Sequence, residues 1–342
     1  MNKILKEDLE MIVNADLPFE ILRNKTVLIT GASGMIGSYL ARSFLKLNER
    51  NYNITLIALV RNPDKLGEDI ESNEHTIVLK QDVCDNINID RKVDIVIHAA
   101  SPASPVIMRE HPVDTIKANV LGTYNTLEVA RKNEGSQYLY VSSREVYGQP
   151  YKNQEYFREN DYGFVDPLNV RSCYPEGKKA AENFCVCYKE QFGVNTMIVR
   201  PAHIYGPGMS LNDGRVQADF LRDVMNNRDI LLKSDGSAIR TYTYIADAVL
   251  AMFYVLLKGD ELVYNIGDEN SKVSIKELAQ TIIKASGKNL KLTFEIEDTK
   301  GCAPFTLGIL NTDKIRALGF KPKYSVYEGL KRSIRYFELE GE

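Results

Sequence analysis

The sequence lacks the marks of a metalloprotein, a disulfide-stapled domain or a membrane protein. Its five cysteines, Cys84, Cys173, Cys185, Cys187 and Cys302, show no CxxC spacing and no partnering histidines, which argues against both a metal site and a disulfide framework. They read as reduced thiols, and the chain is expected in the cytoplasm. No apolar run approaches the roughly 20 residues that a membrane span requires. The opening MNKILKEDLEMIV mixes charge with apolar residues and offers no small-residue cleavage site, so it reads as an amphipathic helix rather than a targeting segment. A net charge of -3 creates no field that would gather nucleic acid, so any anionic ligand must be held by local groups. Internal repeats and low-complexity tracts are absent as well.

What is present is an alternation of short β-branched runs with helical stretches, the pattern of a parallel sheet covered on both faces. The runs are 26–30, 54–60, 75–80, 93–100, 137–142 and 195–200, with amphipathic crossover segments at 113–132 and 172–191. After Arg200 the chain turns rich in glycine and proline, and helices are expected near 216–227, 243–257, 274–286 and 326–339, with a strand near 290–296. A chain of 342 residues exceeds what one core usually serves. The fold expected is α/β, a Rossmann-type doubly wound parallel sheet carrying a smaller mixed lobe. Residues 1–200 and 241–263 are assigned to the sheet domain, and 201–240 and 264–342 to the lobe. The loop 148–170 is long, polar and aromatic, and is expected to flank the active site.

Directly after the first strand comes Gly31-Ala-Ser33-Gly34-Met35-Ile36-Gly37, leading into a helix. Glycines there permit a tight turn and close backbone approach, and the helix start offers free N–H groups and partial positive charge to a pyrophosphate. The alternative is a simple packing turn. Further on, Tyr174-Pro-Glu-Gly-Lys178 opens a predicted helix, and a spacing of four sets phenol and ammonium on one face. A cation there is expected to lower the phenol pKa from about 10, so that it exchanges a hydroxyl proton near neutral pH. The fifth strand delivers Ser142-Ser143-Arg144-Glu145-Val146-Tyr147-Gly148 at its carboxyl end, where open α/β sheets bind ligands. Ser143 would orient the reacting hydroxyl beside Tyr174. Glu145 would be a second acid/base group, which simple alcohol oxidation does not need but chemistry beside a new ketone does.

The GxxGxxG spacing resembles that of short-chain dehydrogenases. That resemblance implies NAD contacts along the glycine turn, at Asp82 and Val83 after the third strand, at Ala99, Ala100 and Ser101 after the fourth, at Tyr174 and Lys178, and at Pro201. The second strand ends Val60-Arg61-Asn62, where NAD-preferring relatives usually place an acidic residue. Arg61 either pairs with the 2′-phosphate of NADP or is a solvated loop arginine, and both readings stand.

From His98 to about Gly267 the chain resembles UDP-glucuronate decarboxylases and, more distantly, dTDP-glucose 4,6-dehydratases. The segments that carry the likeness are HAASPASP (98–105), EVYG (145–148), RSCYPEGKKAAE (171–182), RPAHIYGPGMSLNDGRV (200–216) and AIRTYTYIADA (238–248). The resemblance implies a nucleotide-diphosphate sugar as substrate, contacted by Ser104, Arg144, His203, Arg215 and Arg240, and a homodimer. Arginine suits diphosphate or carboxylate because its planar fork donates paired bonds. It also implies a 4-keto sugar intermediate whose fate is loss of carbon dioxide, loss of water or inversion at a neighbouring carbon. Three positions depart from the pattern. Arg144 replaces a small or acidic residue, and His203 stands where relatives have an asparagine. CAPFTLGILNTDK (302–314) lacks the arginine that decarboxylases carry before their last helix, Leu307 aligning there. The competing readings are an NADPH-consuming 4-keto-sugar reductase, which Arg61 would serve, and a non-catalytic dinucleotide sensor.

Overall fold

A strand that is apolar on both sides is stable only between two helical layers, and the chain builds that arrangement. The computed structural model describes residues 1–295 and 307–341. It begins with α1 (Lys3–Val13), β1 (Thr26–Thr30), α2 (Met35–Asn48), β2 (Thr55–Val60), the single turn α3 (Glu68–Glu71), β3 (Thr76–Lys80) and β4 (Ile95–His98). Next come α4 (Pro105–Glu110), α5 (Pro112–Lys132), β5 (Gln137–Val141), α6 (Cys173–Phe192), β6 (Asn195–Pro201), β7 (Ile204–Tyr205) and α7 (Val216–Met225). Then follow β8 (Ile230–Leu232), β9 (Ile239–Thr241), β10 (Thr243–Tyr244), α8 (Ile245–Lys258) and β11 (Val263–Ile266). The chain ends with β12 (Lys272–Ser274), α9 (Ile275–Ser286), β13 (Leu292–Phe294), β14 (Leu307–Gly308), α10 (Asp313–Ala317) and α11 (Val326–Gly341).

Seven strands form one sheet in the order β11-β6-β5-β4-β1-β2-β3, every neighbouring pair parallel. The chain order reverses between β1 and β4, so a crevice opens at their carboxyl ends, the place where such sheets take ligands. One core joins Leu9 of α1, Phe44 of α2 and Phe253 of α8 to one face of the sheet. The other face is covered by α5 and α6 through Leu127, Ala181 and Cys185. The edge strand β3 is the least buried of the first five.

Two details differ from the sequence reading. The fourth strand was expected to run to Ala100 but ends at His98, because Thr30 takes over the pairing: its carbonyl accepts from Ala99 N at 3.3 Å and its hydroxyl from Ala100 N at 3.3 Å. The seventh strand, β11, was not foreseen, and it carries residues 264–266 into the large sheet rather than the lobe. Its Asn265 breaks the apolar pattern. The side chain accepts from the Tyr147 hydroxyl at 2.6 Å and donates to the Phe157 and Asn311 carbonyls, a polar use that periodicity cannot reveal. The second half otherwise holds small sheets, β10-β7, β12-β9-β14 and β13-β8, packed with α7, α9 and α11.

The two ends of the chain are tied through one buried carboxylate. Asp8 on α1 is fully buried and accepts from Tyr39 Oη at 3.0 Å, Tyr244 Oη at 2.7 Å and Arg332 Nη2 at 2.7 Å. Burial pushes its pKa up, against the pull of Arg332 and the two hydroxyls. Truncating one partner leaves the others buried and unpaired, which is costlier than never having built the pair. Asp8→Ala is therefore expected to lower the unfolding free energy by about 3 kcal/mol, read from equilibrium urea denaturation. A loss no larger than that of an exposed pair would mean that the network carries no tertiary load.

Candidate active site

The glycine turn makes the close approach its sequence suggested. Gly31 has a φ of 69°, and a Cβ placed on it would lie 2.8 Å from the Ala100 Cα. A Cβ on Gly37 would fall inside the Gly31 carbonyl oxygen. Gly34 is the N-cap of α2, with no side chain capping the helix, so the first N–H groups remain available to an anion. Ser33 is exposed, and Met35 and Ile36 are half-buried beside it. Across the turn, His98 Nε2 and Ser101 Oγ are buried without a hydrogen-bond partner. A dinucleotide fits this cradle: a pyrophosphate at the helix start, backbone on both sides, and polar atoms unpaired next to it. At the far end, Arg61 is exposed and its Nη1 lies 4.0 Å from Asp82 Oδ2, so the structure brings those two expected contacts together. Asp82 also accepts from Cys84 N at 2.8 Å, while Val83 is buried against Gly122. Pro201 ends β6 beside Ile266.

Ser143, Tyr174 and Lys178 converge at the carboxyl end of β5. Tyr174 is buried in the first turn of α6, with the Ser143 side chain hydrogen-bonded to it. Lys178, one turn on, donates to the Val141 carbonyl at 2.7 Å and lies 4.8 Å from the Tyr140 ring centre and 5.7 Å from that of Tyr174. One expectation fails. Tyr174 is not lowered by its lysine; burial pushes it up to about 12, with Glu145 adding to the rise and Ser143, Arg171 and Arg215 opposing it. Burial likewise pushes Lys178 down to about 7, against the pull of Glu182. A pocket that disfavours both charges leaves the ammonium too weak to hold a phenolate by itself. His98, on the adjacent strand, is held neutral by burial and by Lys178, its pKa near 3.

Glu145 stands beside this set. Its Oε1 accepts from Arg171 Nη2 at 2.8 Å, an arginine the sequence reading did not single out. Arg144 is buried in the same place, pushed down to about 10 by burial, with Glu145 working against that and Arg240 and Arg171 adding to it. His203 has a φ of 39°, and its Nδ1 donates to the Thr241 carbonyl at 3.0 Å; burial, then Arg144 and Arg240, keep its ring neutral. Arg240 lies on β9 opposite Gly308 of β14, where a Cβ would crowd both Arg240 and His203. Position 307, aligned with the decarboxylases' arginine, therefore falls next to the site, while 302–306 lie outside the described residues. Arg215 caps α7 and pairs with Asp213, Nε to Oδ2 at 2.7 Å. The hydroxyl of Ser104 donates to the Asp213 carbonyl at 2.8 Å, so it fastens this loop to α4. Among the described residues no cluster of histidine, cysteine and carboxylate groups is arranged to hold a metal.

A second layer fixes the first. Glu182, one turn beyond Lys178, accepts from Ser142 Oγ at 2.5 Å and from Arg200 Nε and Nη2 at 2.9 and 2.6 Å. Arg200 reaches on to the Glu159 carbonyl and lies 4.7 Å from the Tyr147 ring centre. The sequence holds one usable signal for Glu182: Tyr174, Lys178 and Glu182 repeat every four residues on one helical face.

The sign of the Lys178 shift makes it testable. A lysine whose folded pKa falls to about 7 penalises the fold fully below that value, and the penalty fades as pH rises toward the unfolded value. Lys178→Met should therefore unfold at a higher temperature than the parent, by a margin larger at pH 6 than at pH 10. A margin independent of pH would show that the ammonium is not buried.

The chain matches the model of the NAD dependent epimerase/dehydratase family over residues 27–267. UDP-glucuronic acid decarboxylase 5 of Arabidopsis thaliana is 32% identical over 319 residues, covering 92% of this chain and 90% of that protein. UDP-glucuronic acid decarboxylase 1 of Xenopus tropicalis is 31% identical over 321 residues, covering 93% and 73%. Among solved structures, UDP-glucose 4-epimerase of Thermotoga maritima with UDP-glucose superposes with a TM-score of 0.79 at 24% identity, over 93% of this chain and 100% of that one. UDP-glucuronic acid 4-epimerase of Bacillus cereus, solved with UDP-glucuronic acid and NAD, gives 0.77 at 21%, over 92% and 99%. With a family model matched over most of its length and relatives about a third identical across nine-tenths of it, the chain belongs to the NAD-dependent epimerase/dehydratase family.

Proposed function

We propose that this protein acts on a nucleotide-diphosphate sugar through a 4-keto intermediate, and that the substrate is a hexuronate which loses its carboxylate as carbon dioxide. The observation that carries the reading is the placing of Glu145 beside Ser143, Tyr174 and Lys178, a second acid/base group next to an oxidation site. The cradle of Gly31, Gly34 and Gly37 would hold NAD, which when bound supplies a hydride acceptor and a cationic ring. The chain's own residues manage the protons. Ser143 orients the C4 hydroxyl and Tyr174 takes its proton. Tyr174 then donates to the new ketone oxygen, where the electrons released by the departing carboxylate accumulate. Glu145 would relay a proton from solvent to the carbon that the carboxylate has left, and Tyr174 would give its proton back to the C4 oxygen as the hydride is returned there.

Loss of water needs a donor for the leaving hydroxyl, and the residue before Glu145 is an arginine that keeps its proton near neutral pH. Loss of carbon dioxide needs no such donor. Arg215 and Arg240 would hold the diphosphate and the sugar, and Arg144 would face the carboxylate. The similarity to decarboxylases at about a third identity supports the same reaction class. Exposed Val113, Leu121 and Tyr124 on α5, with Val186 and Phe192 on α6, support a homodimer formed through these helices. The unpaired state of Cys84, Cys173, Cys185 and Cys187 is compatible with a cytoplasmic setting.

Incubation with UDP-, dTDP-, GDP- and CDP-hexuronates and their parent hexoses, read by mass spectrometry, should show loss of 44 mass units from one hexuronate, without net change at the nicotinamide absorbance band. Loss of 18 units would replace the reading with dehydration, an unchanged mass with a new epimer would replace it with inversion, and stoichiometric consumption of NADPH would make the protein a reductase. Tyr174→Phe should cut turnover by about 10²-fold or more while NAD still binds. Unimpaired turnover would remove Tyr174 from the reaction.

A further inference from the structure

The ion pair between Arg171 and Glu145 is built unlike three other arginine–carboxylate pairs of the molecule. Arg42 engages Asp69 through two bonds of 2.7 and 3.0 Å, Arg131 engages Glu128 through two of 2.8 Å, and Arg200 engages Glu182 through 2.9 and 2.6 Å. Each is the fork-to-fork geometry that satisfies both groups together. Arg171 gives Glu145 one bond, Nη2 to Oε1 at 2.8 Å. The other guanidinium nitrogen, Nη1, and the other carboxylate oxygen, Oε2, are both buried with no hydrogen-bond partner. Proteins rarely leave a buried donor and a buried acceptor unused on the same pair, because each forfeits its hydration for nothing. The pair sits against the reacting phenol: Arg171 lies 6.0 Å from the Tyr174 ring centre, and both charges act on Tyr174.

We propose that Arg171 and Glu145 form a two-point site for one hydroxyl of the sugar, with Arg171 Nη1 donating to the hydroxyl oxygen and Glu145 Oε2 accepting its proton in a hydrogen bond. The inference rests on the proposed function for the identity of the ligand as a nucleotide sugar. The chemistry of the pair selects the group. A hydroxyl both donates and accepts, so it satisfies the two spare atoms together. A carboxylate or phosphate oxygen satisfies Arg171 alone and meets Glu145 as a like charge. The anionic substituents of the substrate are thereby directed away from this point and toward Arg144, Arg215 and Arg240. Arg171 is in this sense a specificity residue as well as a positioning one, because the bond to Oε1 fixes where Oε2 points.

The test uses NAD-loaded protein and calorimetric titration with the nucleotide sugar that the parent turns over, its singly deoxygenated analogues at each ring hydroxyl, and the nucleoside diphosphate alone. In the parent, one deoxy analogue should bind about tenfold more weakly than the full sugar. In Arg171→Gln that discrimination should vanish while the nucleoside diphosphate binds as before. Glu145→Gln, which turns an acceptor into a donor, should also lose it, and Arg171→Lys should recover part of it. Equal discrimination in the parent and in Arg171→Gln would overturn the proposal. So would a loss of nucleoside diphosphate affinity that matches the loss for the full sugar, which is the signature of a merely structural pair. A parent that binds no nucleotide sugar defeats the functional reading itself, a separate result.

Discussion

The bond between Glu182 and Arg200 is the constraint on which the site depends. It is a nearly buried ion pair, and burying two charges costs more than their attraction returns unless every remaining lone pair and proton is used. Here they are used. Glu182 also takes the Ser142 hydroxyl, and Arg200 also donates to the Glu159 carbonyl and covers the Tyr147 ring. Burial works against the Arg200 charge, but the bonds to Glu182 outweigh it and hold the guanidinium firmly protonated. The pair therefore locks α6 to β5 and β6 at one register. Ser143 follows Ser142 just beyond β5, and Lys178 and Tyr174 precede Glu182 on α6, so a shift of either element would separate Ser143 from Tyr174. Glu159 then accepts from Asn265 N at 2.9 Å, and Asn265 binds Tyr147, which extends the same lock to the loop 148–170 and to β11.

The pocket that this lock shapes is hostile to charge. Burial raises Tyr174 and lowers Lys178, so the resting site holds its protons as a neutral phenol and a weak ammonium. In these surroundings Tyr174 keeps its proton at neutral pH, and Lys178 carries its charge only in part. A cationic nicotinamide would add what the protein withholds, favouring the phenolate only when the cofactor is in place. The proton-taking ability of Tyr174 would then be tied to cofactor binding, and an unloaded site would stay inert.

How much of this was legible follows from the range over which each signal acts. The glycine turn and the Tyr174–Lys178 pair are local, set by spacings of three and four residues, and the structure places them at a strand-to-helix turn and on one helix as those spacings imply. The pKa of Tyr174 was misjudged because a spacing reports proximity and not burial; the lysine is near, but the cavity decides. Arg171 went unremarked because its meaning depends on Glu145, 26 residues earlier, and the fold alone brings them together. β11 went unseen because its central residue is an asparagine chosen for Tyr147, Phe157 and Asn311 rather than for a strand. The Ser104 hydroxyl, which the resemblance makes a substrate contact, donates to the loop that carries Arg215, a link that only the fold reveals.

The charges around the site bear on what it can hold. Arg144, Arg171, Arg215 and Arg240 gather near Tyr174 and His203, while among the described residues the carboxylates drawn into the same group are Glu145 and Asp213. Both carboxylates are already engaged by Arg171 and Arg215. Burial and two neighbouring arginines weaken the hold of Arg144 on its proton. An anionic ligand beside Arg144 would strengthen that hold. The nucleotide-diphosphate hexuronate proposed above would bring charge at both ends of the sugar, the diphosphate to Arg215 and Arg240 and the carboxylate to Arg144. A neutral hexose on the same nucleotide would leave Arg144 facing an uncharged carbon. On that reading Arg144 would offset the leucine at position 307, supplying from the loop after β5 the cation that the aligned position lacks.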